Sequence, residues 1–187
     1  MATLIVPQEA RGHLDTRLGR IDMLVDHRGA LLRVDFRMRD AAGPGSEYAQ
    51  AREAQDAVAD VRQQLLEYFS GARRDFSLPM APRGSPFLKQ AWALLAQIPY
   101  GTVTTYGELA RTLGKPGAAR AIGMANAINP ISIIVPCHRV IAANGTLSGY
   151  SGGIDKKRGL LTLEAEHSRE DLFQIGNSWT EPDKSML

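Results

Sequence analysis

The stretch TYGELARTLGKPGAARAIGMANAINP, residues 105–130, decides how the second half of this chain is read. Thr105 can cap a short helix over 106–113, which Gly114, Lys115, Pro116 and Gly117 then stop. A second helix over 118–128 runs to Asn129 and Pro130. Two short helices joined by a tight Gly/Pro turn predict a helix-turn-helix, a pattern shared with any αα-hairpin. The second helix is poor in base-reading groups. Ala118, Ala119, Ala121, Gly123 and Ala125 leave little polar side chain for base edges, which are read by residues such as Arg, Asn and Gln. Such a helix binds DNA without choosing sequence, and its small residues let the backbone approach phosphates or a shallow groove. Arg120 is the one long cation on this smooth surface.

Upstream, Phe87, Ala91, Trp92, Leu94, Leu95 and Ile98 recur on a helical period that Pro99 and Gly101 end. LPMAPRGSP at 78–86 holds three prolines and a glycine, which disfavour regular structure and mark a domain boundary. Before it, Val58, Val61, Leu65, Leu66 and Phe69 predict an amphipathic helix ending near Ser70 and Gly71, preceded by a turn-rich loop at 41–48. Residues 16–38 alternate apolar and polar positions around His27, Arg28 and Gly29, as a hairpin or the first two strands of a meander do. The sequence therefore predicts an α/β N-terminal domain over 1–81 and a mainly helical C-terminal domain over 82–168. A tail over 169–187 reads as partly disordered.

Charge separates along the same division. Residues 84–160 carry eight basic side chains (Lys89, Arg111, Lys115, Arg120, Arg139, Lys156, Lys157, Arg158) against Glu108 and Asp155, a surplus of 8 − 2 = +6. The whole chain has a formal charge of +2, so the remainder carries 2 − 6 = −4. A segment polarised in this way suits a polyanion such as DNA. The single Cys excludes an internal disulfide and a multi-cysteine zinc site, and fits a reducing compartment. No basic stretch followed by an apolar core opens the chain, and no apolar run approaches the roughly 20 residues of a membrane span. A cytoplasmic protein is expected, with no membrane association.

That leaves one thiol to explain. ISIIV at 131–135 is a short β-branched run predicted to be a buried strand, and it leads directly into Pro136, Cys137, His138, Arg139 and Val140. A thiol becomes a strong nucleophile as the thiolate, which a nearby base, cation or helix N-terminus favours. His138 and Arg139 supply two such groups. On an extended chain, neighbouring side chains point to opposite faces, so a water between Cys137 and His138 could carry the proton. His138 then needs a carboxylate to fix its tautomer; Glu164, Glu108, Asp155 and Glu166 are the candidates, and spacing does not choose among them.

PCHRV at 136–140, the preceding NPISIIV and the following SGYSGG at 148–153 resemble the signature of the O6-alkylguanine-DNA alkyltransferases. The resemblance continues through IPYGTVTTYGELA (98–110) and PGAARAIGMA (116–125), and more weakly through LLEYFSGARRDFSLP (65–79) and LGRIDMLVDHRGALLRVDF (18–36). It implies a ribonuclease H-like N-terminal domain and a winged-helix-like C-terminal domain containing the helix-turn-helix. It also implies direct reversal of damage: the alkyl group of an O6-alkylguanine, with O4-alkylthymine as a further lesion, passes irreversibly to Cys137. Under that resemblance His138 is the water-mediated base, Glu164 holds it, and Asn129 braces the turn carrying the cysteine. Tyr106 crowds the target phosphate and assists the leaving guanine, while Arg120 fills the space of the flipped nucleotide. Gly107, Lys115 and Ala121 join them as DNA contacts. Tyr150 and Ser151 form the lid of the base pocket, and the main-chain carbonyls of Cys137 and Val140 accept from the guanine amino group. The implied partner is double-stranded DNA containing alkylated guanine, bound by a monomer that can assemble cooperatively along it. No cofactor and no metal are implied.

The chain also departs from the pattern. Its single Cys cannot build the N-terminal zinc site of some members or a second cysteine-bearing acceptor domain. Asn126 and Ala127 stand where some members carry an apolar wedge and a basic residue, which implies fewer phosphate contacts. The first 15 residues and the stretch after His167 match nothing recognisable. Three other classes fit less well. A lesion-binding module without chemistry lacks the acceptor that Cys137 supplies. A winged-helix regulator does not account for PCHRV, and a cysteine hydrolase usually takes its histidine from far along the chain.

Overall fold

A computed structural model describes residues 9–36 and 52–168. The chain divides into two compact units, Met1–Arg83 and Gly84–Leu187. The first is a three-stranded antiparallel meander in the order β1-β2-β3, with β1 at Glu9–Thr16, β2 at Gly19–Asp26 and β3 at Leu31–Asp35. Alternation places Ile21, Met23 and Val25 on the buried face of β2. Helix α1, Arg52–Phe69, covers the sheet through Val58, Val61, Leu65 and Tyr68.

The strand pair expected over 16–38 is the second and third strand of the sheet; the first, β1, is an addition. Its alternation is muted because only Ala10 and Leu14 are buried along it. Gly12 sits where any side chain would collide with Val58, so the residue that lets the helix approach also hides the strand. The turn after β2 is tied by the Asp26 carboxylate, which accepts from the amides of Arg28 and Ala30 at 2.9 and 2.8 Å. The apolar face of α1 also differs from expectation: Leu66 is exposed, and Tyr68 is fully buried in its place. The loop at 41–48 and the tail at 169–187 lie outside the described residues.

The proline-rich segment is more ordered than its composition predicts. Leu31 donates to the Pro79 carbonyl and accepts from the Ala81 amide, adding residues 79–81 to the sheet. Pro86 is already the first residue of a helix capped by Ser85, a position where its missing N–H costs nothing.

The second unit is mainly helical. It contains α2 (Pro86–Leu95), α3 (Tyr106–Thr112), α4 (Ala119–Ala127) and α5 (Ile154–His167). Two short parallel strands, β4 (Thr104–Thr105) and β5 (Val140–Ile141), pair in the same unit. Thr105 and Glu108 form a reciprocal capping box at the start of α3, and a 3-10 turn, Pro116–Ala118, leads from the expected Gly/Pro turn into α4, which begins one residue later than expected. Trp92 of α2 donates its indole N–H to the Ala125 carbonyl of α4 at 2.9 Å, joining the two helices through their buried faces. Among the described residues no helix is long and apolar enough to cross a membrane.

Candidate active site

Between α4 and the cysteine, residues 131–135 do not form the predicted strand. They fold into a compact buried turn in which Val135 donates to the Ile131 carbonyl and Ile134 to that of Ser132, both at 2.9 Å. The β-branched run correctly signals burial, but the backbone needs of a buried turn must be met locally. Asn129 meets them. Its amide donates to the carbonyls of Val135 at 2.8 Å and Ile131 at 3.5 Å, and its oxygen accepts from the Ile131 amide at 3.1 Å. The turn also holds Ile133 at φ 74°, a conformation unfavourable for a β-branched residue and kept by the packing around it.

This turn delivers Cys137 into a 3-10 helix, Cys137–Arg139, rather than an extended chain. The opposite-face geometry expected of an extended Cys–His pair therefore does not apply. Cys137 is 1% exposed, and His138 is fully buried. His138 Nε2 lies 2.9 Å from Glu164 Oε1 on α5. Arg139 donates Nε to both oxygens of that carboxylate, at 3.2 and 3.0 Å, and Nη2 to Oε1 at 2.8 Å. Its Nη1 donates to the Ile98 carbonyl at 2.6 Å, and the Gly101 amide donates to Glu164 Oε2 at 3.0 Å. Glu164 is thus chosen from the four carboxylates. Glu108 serves the capping box, Asp155 pairs with Lys156 on the surface, and Glu166 is exposed.

The electrostatics follow from this packing. Burial pushes the Glu164 carboxyl up, but His138 and Arg139 outweigh it and hold the group well below the usual carboxylate range. Burial depresses His138, against the pull of Glu164 in the other direction. The imidazole is therefore neutral at pH 7. An ionised Glu164 can only accept, so Nε2 carries the proton and Nδ1, buried and without a protein partner, carries the lone pair.

Lys157, which the basic surplus of 84–160 groups with the DNA-facing charges, is instead part of the buried site. It is fully buried on α5, with Nζ donating to the Val140 carbonyl at 2.6 Å and the Ser148 carbonyl at 2.8 Å. Burial pulls it down to about 8, partly offset by the Cys137 sulfur. Its position seven residues, about two turns, before Glu164 on the buried side of α5 is the signal that could have found it. With Lys157 and Arg139 both internal, the surface charge of 84–160 falls from +6 to 6 − 2 = +4.

Tyr106, the first residue of α3, reaches the same Ser148 carbonyl with its hydroxyl at 3.4 Å. Its ring lies beside Gly123 of α4, and a Cβ placed on Gly149 would stand 3.3 Å from its oxygen. Burial raises its phenol, and the Cys137 sulfur adds to that effect. Tyr106 thus lies between α4 on one side and Ser148 and Gly149 on the other. Tyr150 is buried and Ser151 exposed. Cys137, His138, Glu164, Asn129 and Val140 therefore form one network, with Tyr106 at its edge. Arg120, Ala121 and Lys115 stand apart from it on exposed surface, Lys115 with its ammonium 5.6 Å from the Phe87 ring centre. At Gly107 a side chain would meet only the Thr105 hydroxyl, at 4.0 Å. Among the described residues no group of three His, Cys, Asp or Glu side chains could hold a metal ion.

Two family models match the chain: the 6-O-methylguanine DNA methyltransferase ribonuclease-like domain over residues 11–82, and the DNA binding domain of the same family over 86–166. A methylated-DNA–protein-cysteine methyltransferase of Mycolicibacterium paratuberculosis is 51% identical over 116 residues, covering 62% of this chain and 70% of the relative. One from Methanosarcina acetivorans is 50% identical over 112 residues, covering 60% and 72%. The crystal structure of the Mycobacterium tuberculosis O6-methylguanine methyltransferase superposes with a TM-score of 0.75 at 38% identity, covering 89% of this chain and 99% of that one. A structure of the Mycobacterium tuberculosis OGT in complex with DNA gives 0.73 at 40% identity, covering 87% and 96%.

Proposed function

The chain belongs to the 6-O-methylguanine DNA methyltransferase family, and from that premise we propose that Cys137 takes the alkyl group of an O6-alkylguanine in duplex DNA, once and irreversibly. Direct reversal by transfer to a cysteine is the activity of this family. The observation that carries the assignment to particular residues is the buried Cys137–His138–Glu164 arrangement, in which His138 Nε2 faces Glu164 and Nδ1 has no protein partner.

The chemistry is a displacement. The Cys137 proton passes to His138 Nδ1 through a bridging water, and Glu164 stabilises the imidazolium that forms. Lys157 adds a positive charge that favours the thiolate. The sulfur–carbon bond forms as the carbon–O6 bond breaks, and its electron pair leaves on the guanine. The Tyr106 hydroxyl donates toward that ring and recovers its proton from solvent. The target atom is buried in the base stack, so the nucleotide must first be flipped out, at a cost of a few kcal/mol that is least for a damaged base. Arg120 enters the vacated space, with Ala121, Gly107 and Lys115 against the backbone. Tyr150 and Ser151 close over the base, and the carbonyls of Cys137 and Val140 accept from its amino group. The carbonyl of Val140 can do so while bonded to Lys157, since it has two lone pairs.

We read the helical unit as winged-helix-like on the packing of α2 and α3 against α4 beside the β4–β5 pair. The domains are taken as 1–81 and 82–168, and the protein acts as a monomer in the cytoplasm. The test is transfer of a radiolabelled methyl group from duplex DNA to protein. Wild type becomes labelled, whereas Cys137→Ser binds the lesion and stays unlabelled; label on the serine variant contradicts the assignment.

A further inference from the structure

Four large hydrophobic side chains are exposed among the described residues, and two of them, Met124 at 63% and Ile128 at 50%, lie on the DNA-facing helix. The buried side of α4 is Ile122, Ala125 and Asn126. Its exposed side runs through Arg120, Met124 and Ile128 at four-residue spacing, rising about 6 Å per step, with Ala121 exposed beside them. Asn126 is 2% exposed and turned inward, so it cannot be the part of this helix that meets DNA.

We propose that Met124, with Ile128 behind it, is an apolar wedge that enters the minor groove of bound duplex DNA beside Arg120. Three observations select DNA as the occupant. The stripe is continuous with Arg120 on one helix, in a unit matched by a family DNA-binding domain. Exposed cations occur on the preceding helix, the turn and α4 itself, at Arg111, Lys115 and Arg120, complementary to phosphates rather than to an apolar protein partner. The residues around it are small, and side chains at Gly114 and Gly117 would meet nothing within 4 Å, so the backbone can come close. Apolar side chains inserted at a base step unstack it and bend the duplex, which is the distortion that nucleotide flipping requires. The wedge adds affinity without counterion release, in place of the phosphate contact implied lost at Ala127.

The inference rests on the DNA-binding reading, so the test separates the two. A fluorescent duplex with one O6-methylguanine, long enough for a single protein molecule, is titrated at several salt concentrations with Cys137→Ser protein, which transfers nothing. Met124→Ser/Ile128→Ser in that background should bind about tenfold to a hundredfold more weakly at every salt concentration, with an unchanged slope of log affinity against log salt. Met124→Leu should retain affinity. Lys115→Ala should instead lower the slope by about 1. End-to-end energy transfer should report a straighter duplex with the double variant. Thermal unfolding of the free variants checks that these exposed substitutions leave the fold intact. Binding within twofold of the parent, a changed slope, or a loss seen only on long duplexes overturns the wedge, the last by assigning the stripe to contacts between protein molecules. Failure of the parent to bind the duplex overturns the DNA-binding reading itself.

Discussion

Replacing Glu164 by Gln removes the one negative charge shared by His138 and Arg139. The carboxylate is 1% exposed and accepts from His138, from Arg139 through two nitrogens and from the Gly101 amide. Gln keeps the size but leaves the Arg139 guanidinium, 5% exposed, without a counter-charge. Breaking a buried pair from one side costs about 3–5 kcal/mol, against about 5–15 kcal/mol for a whole domain. Arg139→Met should cost a similar amount by leaving the carboxylate uncompensated. The double variant leaves neither member of this pair as an uncompensated charge, so its cost should fall short of the sum by about 2 kcal/mol or more. Urea unfolding of the full chain, followed by the fluorescence of Trp92 in this unit, measures all three. Methyl transfer by folded Glu164→Gln should also slow by about a hundredfold or more, because the imidazolium loses its stabilising charge. Additive stability costs would refute the ion-pair account, and an unchanged transfer rate would refute the role given to Glu164.

Asn129→Ala strips the partners from the buried carbonyl of Val135 and amide of Ile131, and should cost about 2–4 kcal/mol with loss of transfer, read by the same unfolding assay. His138 and Glu164 both titrate below their ordinary values, 6.5 and 4.5, so the unfolded chain takes up protons first as pH falls. Stability should therefore decline below about pH 6.5 and more steeply below about 4.5, and His138→Gln should remove the first of these limbs. Arg120→Ala, at an exposed position, should leave the unfolding midpoint within about 0.5 kcal/mol of wild type. It should reduce flipping, measured by the fluorescence of a base analogue at the lesion site.

The parts of this structure legible in the sequence are those set by local chemistry. Thr105 and Glu108 cap α3, Gly114 to Gly117 turn the chain, and the apolar period over 87–98 marks α2, because each depends on neighbours within a few residues. Residues 131–135 show the limit of that information. Five apolar or small residues announce burial, yet whether they extend or coil depends on Asn129, whose side chain replaces the ladder that a strand would have found elsewhere. The partner of His138 lies 26 residues away, and choosing Glu164 over Glu108, Asp155 or Glu166 requires knowing which side of α5 faces the cysteine. Lys157 reads as a DNA-facing charge for a related reason, and Arg139, although its place beside Cys137 offers it to the thiol, is counted in the same basic surplus. Composition counts charges without knowing which point inward, and these two serve the site rather than the surface.

Intact-mass and peptide mass spectrometry during titration with a duplex containing one O6-methylguanine tests the central assignment most directly. The account predicts one added methyl per protein molecule, located on the Cys137 peptide, with repaired DNA rising in step and stopping when every molecule is modified. DNA repaired beyond one equivalent, or repaired with Cys137 unmodified, would contradict it.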